Sequence, residues 1–183
     1  MSILLAFLPF LVFAVVDRTI GVTEGLVAGA ATALVMLLRD LVLLHRSPKI
    51  LEIGTILLFG GLALYALWGD PGCSLMEVRL RVDLGLLAIV LASLAIRQPF
   101  TLQYARENVP REHWDSPEFR RTNDVITAVW ALAFLVMVLA DLVLIYRPDI
   151  RPGLGILATV AALWGAVKFT GWYPDRVRKG AAG

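Results

Sequence analysis

The sequence predicts an all-α fold, a polytopic transmembrane bundle of six helices, on three observations. Five stretches carry no formal charge: Met1 to Val16, Ile53 to Gly69, Leu84 to Ile96, Val125 to Ala140 and Pro152 to Val167. A sixth, Ile20 to Leu38, carries only Glu24. With apolar flanks, most approach the roughly 20 residues that cross about 30 Å of hydrocarbon as a helix. Second, hydrophobic residues make up 58% of the 183 positions, above the usual soluble fraction. Third, the runs lack the alternation of a barrel strand, and backbone polar groups in lipid must be satisfied within each segment, which leaves helices.

Each crossing with its turn uses about 25 to 30 residues, so the chain holds five or six crossings in one membrane domain, residues 1–183. The first segment, 3–18, is short for a span: it either crosses tilted and kinked at Pro9 or is a half-inserted helix. It lacks a basic n-region, and Ala14-Val15-Val16 is a poor cleavage site, so it reads as retained rather than as a signal. The remaining spans are expected near 20–44, 50–68, 82–97, 122–146 and 153–173. The fifth helix should start earlier, near Ser116, because Ser116-Pro117-Glu118 supplies a cap, a first-turn proline and an acid that complements the helix dipole.

Loop charges give the orientation. Arg39, Arg46, Lys49, Arg97, Arg106, Arg111, Arg120, Arg121, Arg176, Arg178 and Lys179 fall on one side, against Arg18, Arg79, Arg81, Arg147 and Arg151 on the other. Eleven against five puts both termini in the cytoplasm. The connection 98–124 and the basic tail 174–183 then lie on the cytoplasmic side, and the connection, with Arg106, Arg111, Trp114, Arg120 and Arg121, reads either as an interfacial segment in contact with lipid or as a solvated linker. The formal charge of +2 is small and comes from loops, which argues against a nucleic-acid partner.

Within the spans, Asp141 and Lys168 are the candidate intramembrane polar residues, since an ionisable group at that depth is costly and marks function by default. Lys168 can instead snorkel to the cytoplasmic headgroups, and Asp141 can pair near the surface with Arg147 or Arg151. Glu24, Asp40, Glu52 and Asp83 read as caps or headgroup contacts at helix ends. Gly60 and Gly61 are expected to pack against another helix, as are Gly29 and its flanking alanines. Cys73 is the only cysteine, which excludes an intramolecular disulfide and a thiolate cluster, and His45 and His113 have no second ligand at helical spacing; no metal or cofactor is expected. There is no HExxH, Ser/His/Asp constellation or glycine-rich phosphate loop, so the chain reads as non-enzymatic.

An internal echo stands out: residues 34–46 (LVMLLRDLVLLHR) match 135–147 (LVMVLADLVLIYR) at nine of thirteen positions, at an offset of 101 that Gly54 and Gly155 keep. With an odd number of crossings between the copies, the halves would be inverted three-helix repeats, a transporter architecture; a shared vocabulary of Leu and Val is the plainer source of the match.

The order of several elements resembles the intracellular septation protein A family of small bacterial inner-membrane proteins. These are Phe7-Leu-Pro-Phe-Leu-Val-Phe13, Leu58-Phe-Gly-Gly-Leu-Ala-Leu64, Gln98-Pro-Phe100, and Pro110, Trp114 and Asn123 ahead of Ala128-Val-Trp-Ala-Leu-Ala-Phe134. The resemblance covers nearly the whole chain and implies a bacterial inner-membrane location. It also implies a non-catalytic role in envelope maintenance and division, through contacts with division or wall-elongation proteins. A small transporter or channel, or an accessory subunit of a membrane complex, are the competing expectations.

Overall fold

The computed structural model describes residues 3–69, 74–147 and 149–181, so Cys73 lies outside the described residues. Every regular element among them is helical, and the chain forms two compact units, residues 1–89 and 90–183, whose boundary falls inside one helix.

The first unit opens with a 3₁₀ turn, Ile3–Phe7, that becomes α-helical as α1, Leu8–Thr19. Pro9 sits at the start of the α-helical part, where its missing N–H has no intrahelical partner to lose. A tight reversal at Ile20 and Gly21 leads into α2, Val22–Leu38, which ends in a π-helical turn, Arg39–Leu43. Helix α3 is Ile50–Trp68, with the same limits as the expected third span. Helix α4, Leu75–Ala95, starts seven residues before the expected 82. Its early turns carry Glu77, Arg79, Arg81 and Asp83, yet Val78, Val82 and Leu86 form a buried apolar stripe at helical spacing, and Glu77 and Arg81 face each other at 3.9 Å one turn apart. A charge-free window could not see this, because one apolar side suffices for a helix. Asp83, expected near a helix end, is therefore buried inside α4.

Packing in this unit converges on Phe59, which is fully buried. Its ring meets Phe10 and Phe13 of α1 at 5.0 and 5.5 Å, and it presses on Gly29 of α2, where an added Cβ would sit 3.0 Å from the ring. Leu26, Ala63, Val78 and Val82 complete the cluster. Gly60 and Gly61 do not pack against a helix: a Cβ at either would meet nothing within 4 Å. The inner face of α3 is Leu51, Thr55, Phe59 and Ala63, each a helical turn apart, and with Phe59 turned inward its two successors rotate by about 100° each out of the contact. The close approaches are made at other glycines, Gly54 against Ile89 and Gly85 against Leu58, which set α3 and α4 antiparallel.

The second unit begins within α4. That helix ends with Arg97 in the left-handed region (φ 56°), Arg97 N–H donating to Leu94 O and Gln98 N–H to Ser93 O. This is a Schellman cap, followed by the proline that such ends favour. Pro99 starts α5, Phe100–Ala105, whose Phe100, Thr101, Leu102 and Tyr104 are all buried. Helix α6, Pro117–Tyr146, starts as the sequence predicts: Ser116 Oγ accepts from Phe119 N–H at 3.2 Å and Pro117 opens the first turn. Helix α7 is Pro152–Ala181, so the basic tail from 174 continues the helix, with residues 182–183 outside the description.

Candidate functional site

Charged side chains cannot be buried singly without large cost, so a buried group of them marks where the fold invests its polar chemistry. At the α2–α3 turn, Asp40 (0% exposed), Lys49 (3%) and Glu52 (7%) are buried together. Lys49 Nζ donates to Asp40 Oδ2 and to Glu52 Oε1, each at 3.0 Å. Arg39, half-exposed, closes the set from outside, its Nε and Nη2 donating to Asp40 Oδ1 at 3.0 and 2.7 Å. Two cations and two carboxylates make the cluster neutral.

Local structure places each member. The π turn is closed by Leu44 N–H donating to Arg39 O, and Arg46 N–H reaches Asp40 O at 2.9 Å, with His45 left-handed between them (φ 49°). Such π turns recur at functional sites. Lys49 is the extended N-cap of α3, and Glu52 at the third helical position accepts from its backbone N–H at 3.2 Å. That is one half of a capping box; lysine has no acceptor for the other half. Glu52 therefore does cap, as expected, while Asp40 acts as the core of an ion cluster. One turn along α3 lies Thr55, 1% exposed, whose hydroxyl has no hydrogen-bond partner among the described residues.

The second unit repeats the burial pattern with different chemistry. On α2 the buried positions are Gly25, Leu26, Gly29, Ala33 and Met36, then Asp40 in the π turn. Adding 101 to each gives Ile126, Thr127, Trp130, Phe134, Met137 and Asp141, and all six are buried on α6. Small and large residues change places between the two helices of each hairpin: Gly29 on α2 admits Phe59 from α3, whereas on the other hairpin Gly155 of α7 admits Leu144 and Trp130 of α6 reaches Thr170 of α7. The counter-charges are not repeated, since the positions matching Arg39, Lys49 and Glu52 are Ala140, Ile150 and Gly153. In their place the unit buries neutral polar pairs. Thr101 and Thr127 hydroxyls meet at 2.7 Å, Thr101 Oγ1 donates to Asn123 O at 3.0 Å, and Trp130 Nε1 donates to Thr170 Oγ1 at 2.9 Å.

The residues singled out from sequence separate on the structure. Asp141 is buried (2% exposed) on the inner face of α6. Arg147, its expected surface partner, donates to Asp149 at 3.0 Å instead, and the guanidinium beside it holds the Asp149 carboxyl below the usual carboxylate range. Lys168 is exposed on α7, and its ammonium lies back over Trp164, 5.7 Å from the ring centroid, in the direction opposite to the C-terminal end of the helix. Side chains on a helix tilt toward its N-terminus, which accounts for that direction. Arg106 and Arg111 flank Trp114 at 5.3 and 5.6 Å, and Trp114 Nε1 donates to Val109 O. Arg120 pairs with Asp115 at 2.8 Å, and Arg121 is exposed. Sequence reasoning missed the Asp40–Lys49–Glu52 cluster; the signal was Arg39-Asp40 and Lys49-x-x-Glu52 facing each other across a short turn between two apolar runs.

No group of three or more His, Cys, Asp or Glu side chains is gathered to hold a metal among the described residues. Four helical stretches, Val22–Leu43, Ile50–Trp68, Pro117–Tyr146 and Pro152–Arg178, are long and apolar enough to cross a membrane. The chain is an all-helical membrane protein of several crossings. No family model, curated protein or solved structure matches it.

Proposed function

We propose that this chain is a six-segment, non-enzymatic protein of the bacterial inner membrane, with its C-terminus in the cytoplasm, that acts in envelope maintenance and division by holding other membrane proteins. The observation that carries the reading is the apolar interior of the first unit. Its centre is Phe59 against Gly29, Phe10 and Phe13; Asp40, Lys49 and Glu52 pair with one another at the α2–α3 turn, while Asp17 and Asp83 are buried separately on α1 and α4. Such a hairpin is built for rigidity, which suits a scaffold. The corner at Gln98-Pro99-Phe100, one of the elements behind the resemblance, is built tightly: Gln98 completes the Schellman cap, and Phe100 is fully buried with its N–H on Ser93 Oγ at 3.2 Å. These residues have a shared structural task.

A second reading, a small transporter built from an inverted repeat, is favoured by one observation: the buried registers of α2 and α6 coincide at an offset of 101 and end on Asp40 and Asp141. Affinity purification in mild detergent from the native cell separates the two. The scaffold reading expects defined membrane proteins to co-purify with wild type and with Asp141→Asn, and to be lost when Arg106, Arg111, Arg120 and Arg121 are changed to Gln. Intact partner recovery in the arginine variant, together with a growth defect from Asp141→Asn alone, would move the assignment to transport.

A further inference from the structure

Helix α7 carries a feature that neither scaffold nor transporter requires. Trp164, Lys168, Trp172 and Arg176 follow at four-residue intervals, so they share one face of the helix. All four are exposed, Trp164 by 64% and Trp172 by 54%. Each cation lies over the preceding indole, Lys168 Nζ 5.7 Å from the Trp164 centroid and Arg176 Cζ 5.5 Å from that of Trp172. The same face continues toward the N-terminus through exposed Val160 and Leu157. Phe169, stacked on Tyr173 at 4.9 Å and tilted against Trp172 at 5.9 Å, stiffens the aromatic end.

We propose that this face is a binding site for an anionic phospholipid, with the headgroup held between Lys168 and Arg176 and an acyl chain lying along Trp164, Val160 and Leu157. The chemistry selects that occupant on two counts. The two ladder cations stand about 12 Å apart along the axis with Trp172 between them, and the only acid from Pro152 to Ala181 is Asp175, so the face is an uncompensated positive site. An isolated ammonium on an apolar helix is costly in hydrocarbon and is relieved when a phosphate is drawn to it. The rest of the face is apolar, which suits an acyl chain and offers nothing to a soluble anion. Indole N–H groups and ring faces at headgroup level supply the donors and cation–π contacts that fix the pair.

The full-length protein in phosphatidylcholine nanodiscs, doped with either brominated phosphatidylglycerol or brominated phosphatidylcholine at equal mole fraction, provides the test through tryptophan quenching. Wild type should be quenched more by the anionic lipid, and added salt should shrink the difference. Lys168→Gln with Arg176→Gln should abolish the preference, by about fivefold per cation removed. The Lys168→Arg, Arg176→Lys exchange and Arg178→Gln, which lies off the ladder, should retain it. Equal quenching of wild type by the two lipids, with no dependence on salt, overturns the proposal even if the double variant does not fold. Failure of both lipids to quench the Lys168- and Arg176-dependent signal also overturns it, and shows that protein, a second copy or an acidic partner helix, covers the face.

Discussion

Lys49 holds three structural relations at once: it is the N-cap of α3, it bridges Asp40 and Glu52, and it joins the end of α2 to the start of α3. Replacing it with Met leaves Asp40 held by Arg39 but Glu52 buried without a cation, and removing one partner of a buried ion pair costs about 3–5 kcal/mol. Lys49→Met should therefore lower the denaturation midpoint sharply. Further replacement of Glu52 by Gln should recover much of the loss, because the uncompensated charge is then gone while the amide oxygen still caps α3; a single variant that melts like wild type would show the cluster to be solvated. Thr55 behaves in the opposite sense. Its buried hydroxyl has no partner among the described residues, and an isosteric apolar group removes a desolvation cost of about 1–3 kcal/mol. Thr55→Val should thus be neutral or stabilising in thermal unfolding, and a clear loss of stability would reveal a bond that the hydroxyl makes in the bilayer. Neither residue was legible as special in the sequence. Lysine and glutamate near a turn look like solvated ends, and threonine in an apolar run looks like a back-bonded helix residue; what distinguishes them is which side chains the hairpin closes around.

At the scale of elements, the legible features were those fixed by contacts within a few residues. The start of α6 follows from Ser116, Pro117 and Glu118 alone, and the structure places the cap there. Ser116→Ala should cost about 1 kcal/mol, read as faster amide exchange in the first turn of α6 with the rest of the helix unchanged. The limits of α3 were equally readable, because a capping acid opens the run and its apolar residues end at Trp68. The early start of α4 was not readable, since its evidence is a one-sided stripe that matters only once α3 lies against it. The glycines show the same limit: composition marks Gly60 and Gly61 as well as Gly29, and only the direction of Phe59 decides which is needed. A leucine at position 29 would have to displace Phe59, at about 1–3 kcal/mol or more for overpacking, while the same change at position 61 meets open space. Thermal melts of Gly29→Leu and Gly61→Leu in the same detergent should therefore differ, the first destabilised and the second not.

For the whole molecule the open quantity is the number of crossings, and α4 sets it. With a cytoplasmic C-terminus, a crossing α4 puts loop 44–49 in the cytoplasm and the α3–α4 connection outside; without that crossing both connections change sides. Loop charges cannot choose. Without α4 the sides become Arg18, Arg79, Arg81, Arg97, Arg106, Arg111, Arg120, Arg121, Arg176, Arg178 and Lys179 against Arg39, Arg46, Lys49, Arg147 and Arg151, again eleven to five with a cytoplasmic C-terminus. Packing does discriminate. Gly85 faces Leu58 and Ile89 faces Gly54, with Val78 and Val82 in the cluster around Phe59 and Ala63, so α4 runs antiparallel beside α3 over about 17 Å, more than half the hydrocarbon thickness. This packing pairs α4 with one of the four helices long and apolar enough to cross, and supports the sequence expectation that α4 crosses too. A membrane-impermeant maleimide should accordingly label Cys73, the only thiol in the chain, from outside intact spheroplasts, and a Ser47→Cys variant on a Cys73→Ser background should be labelled only after permeabilisation. Labelling of Ser47→Cys but not of Cys73 in intact spheroplasts would remove the α4 crossing and, with it, the odd number of crossings between the two copies of the echo on which the transport reading depends.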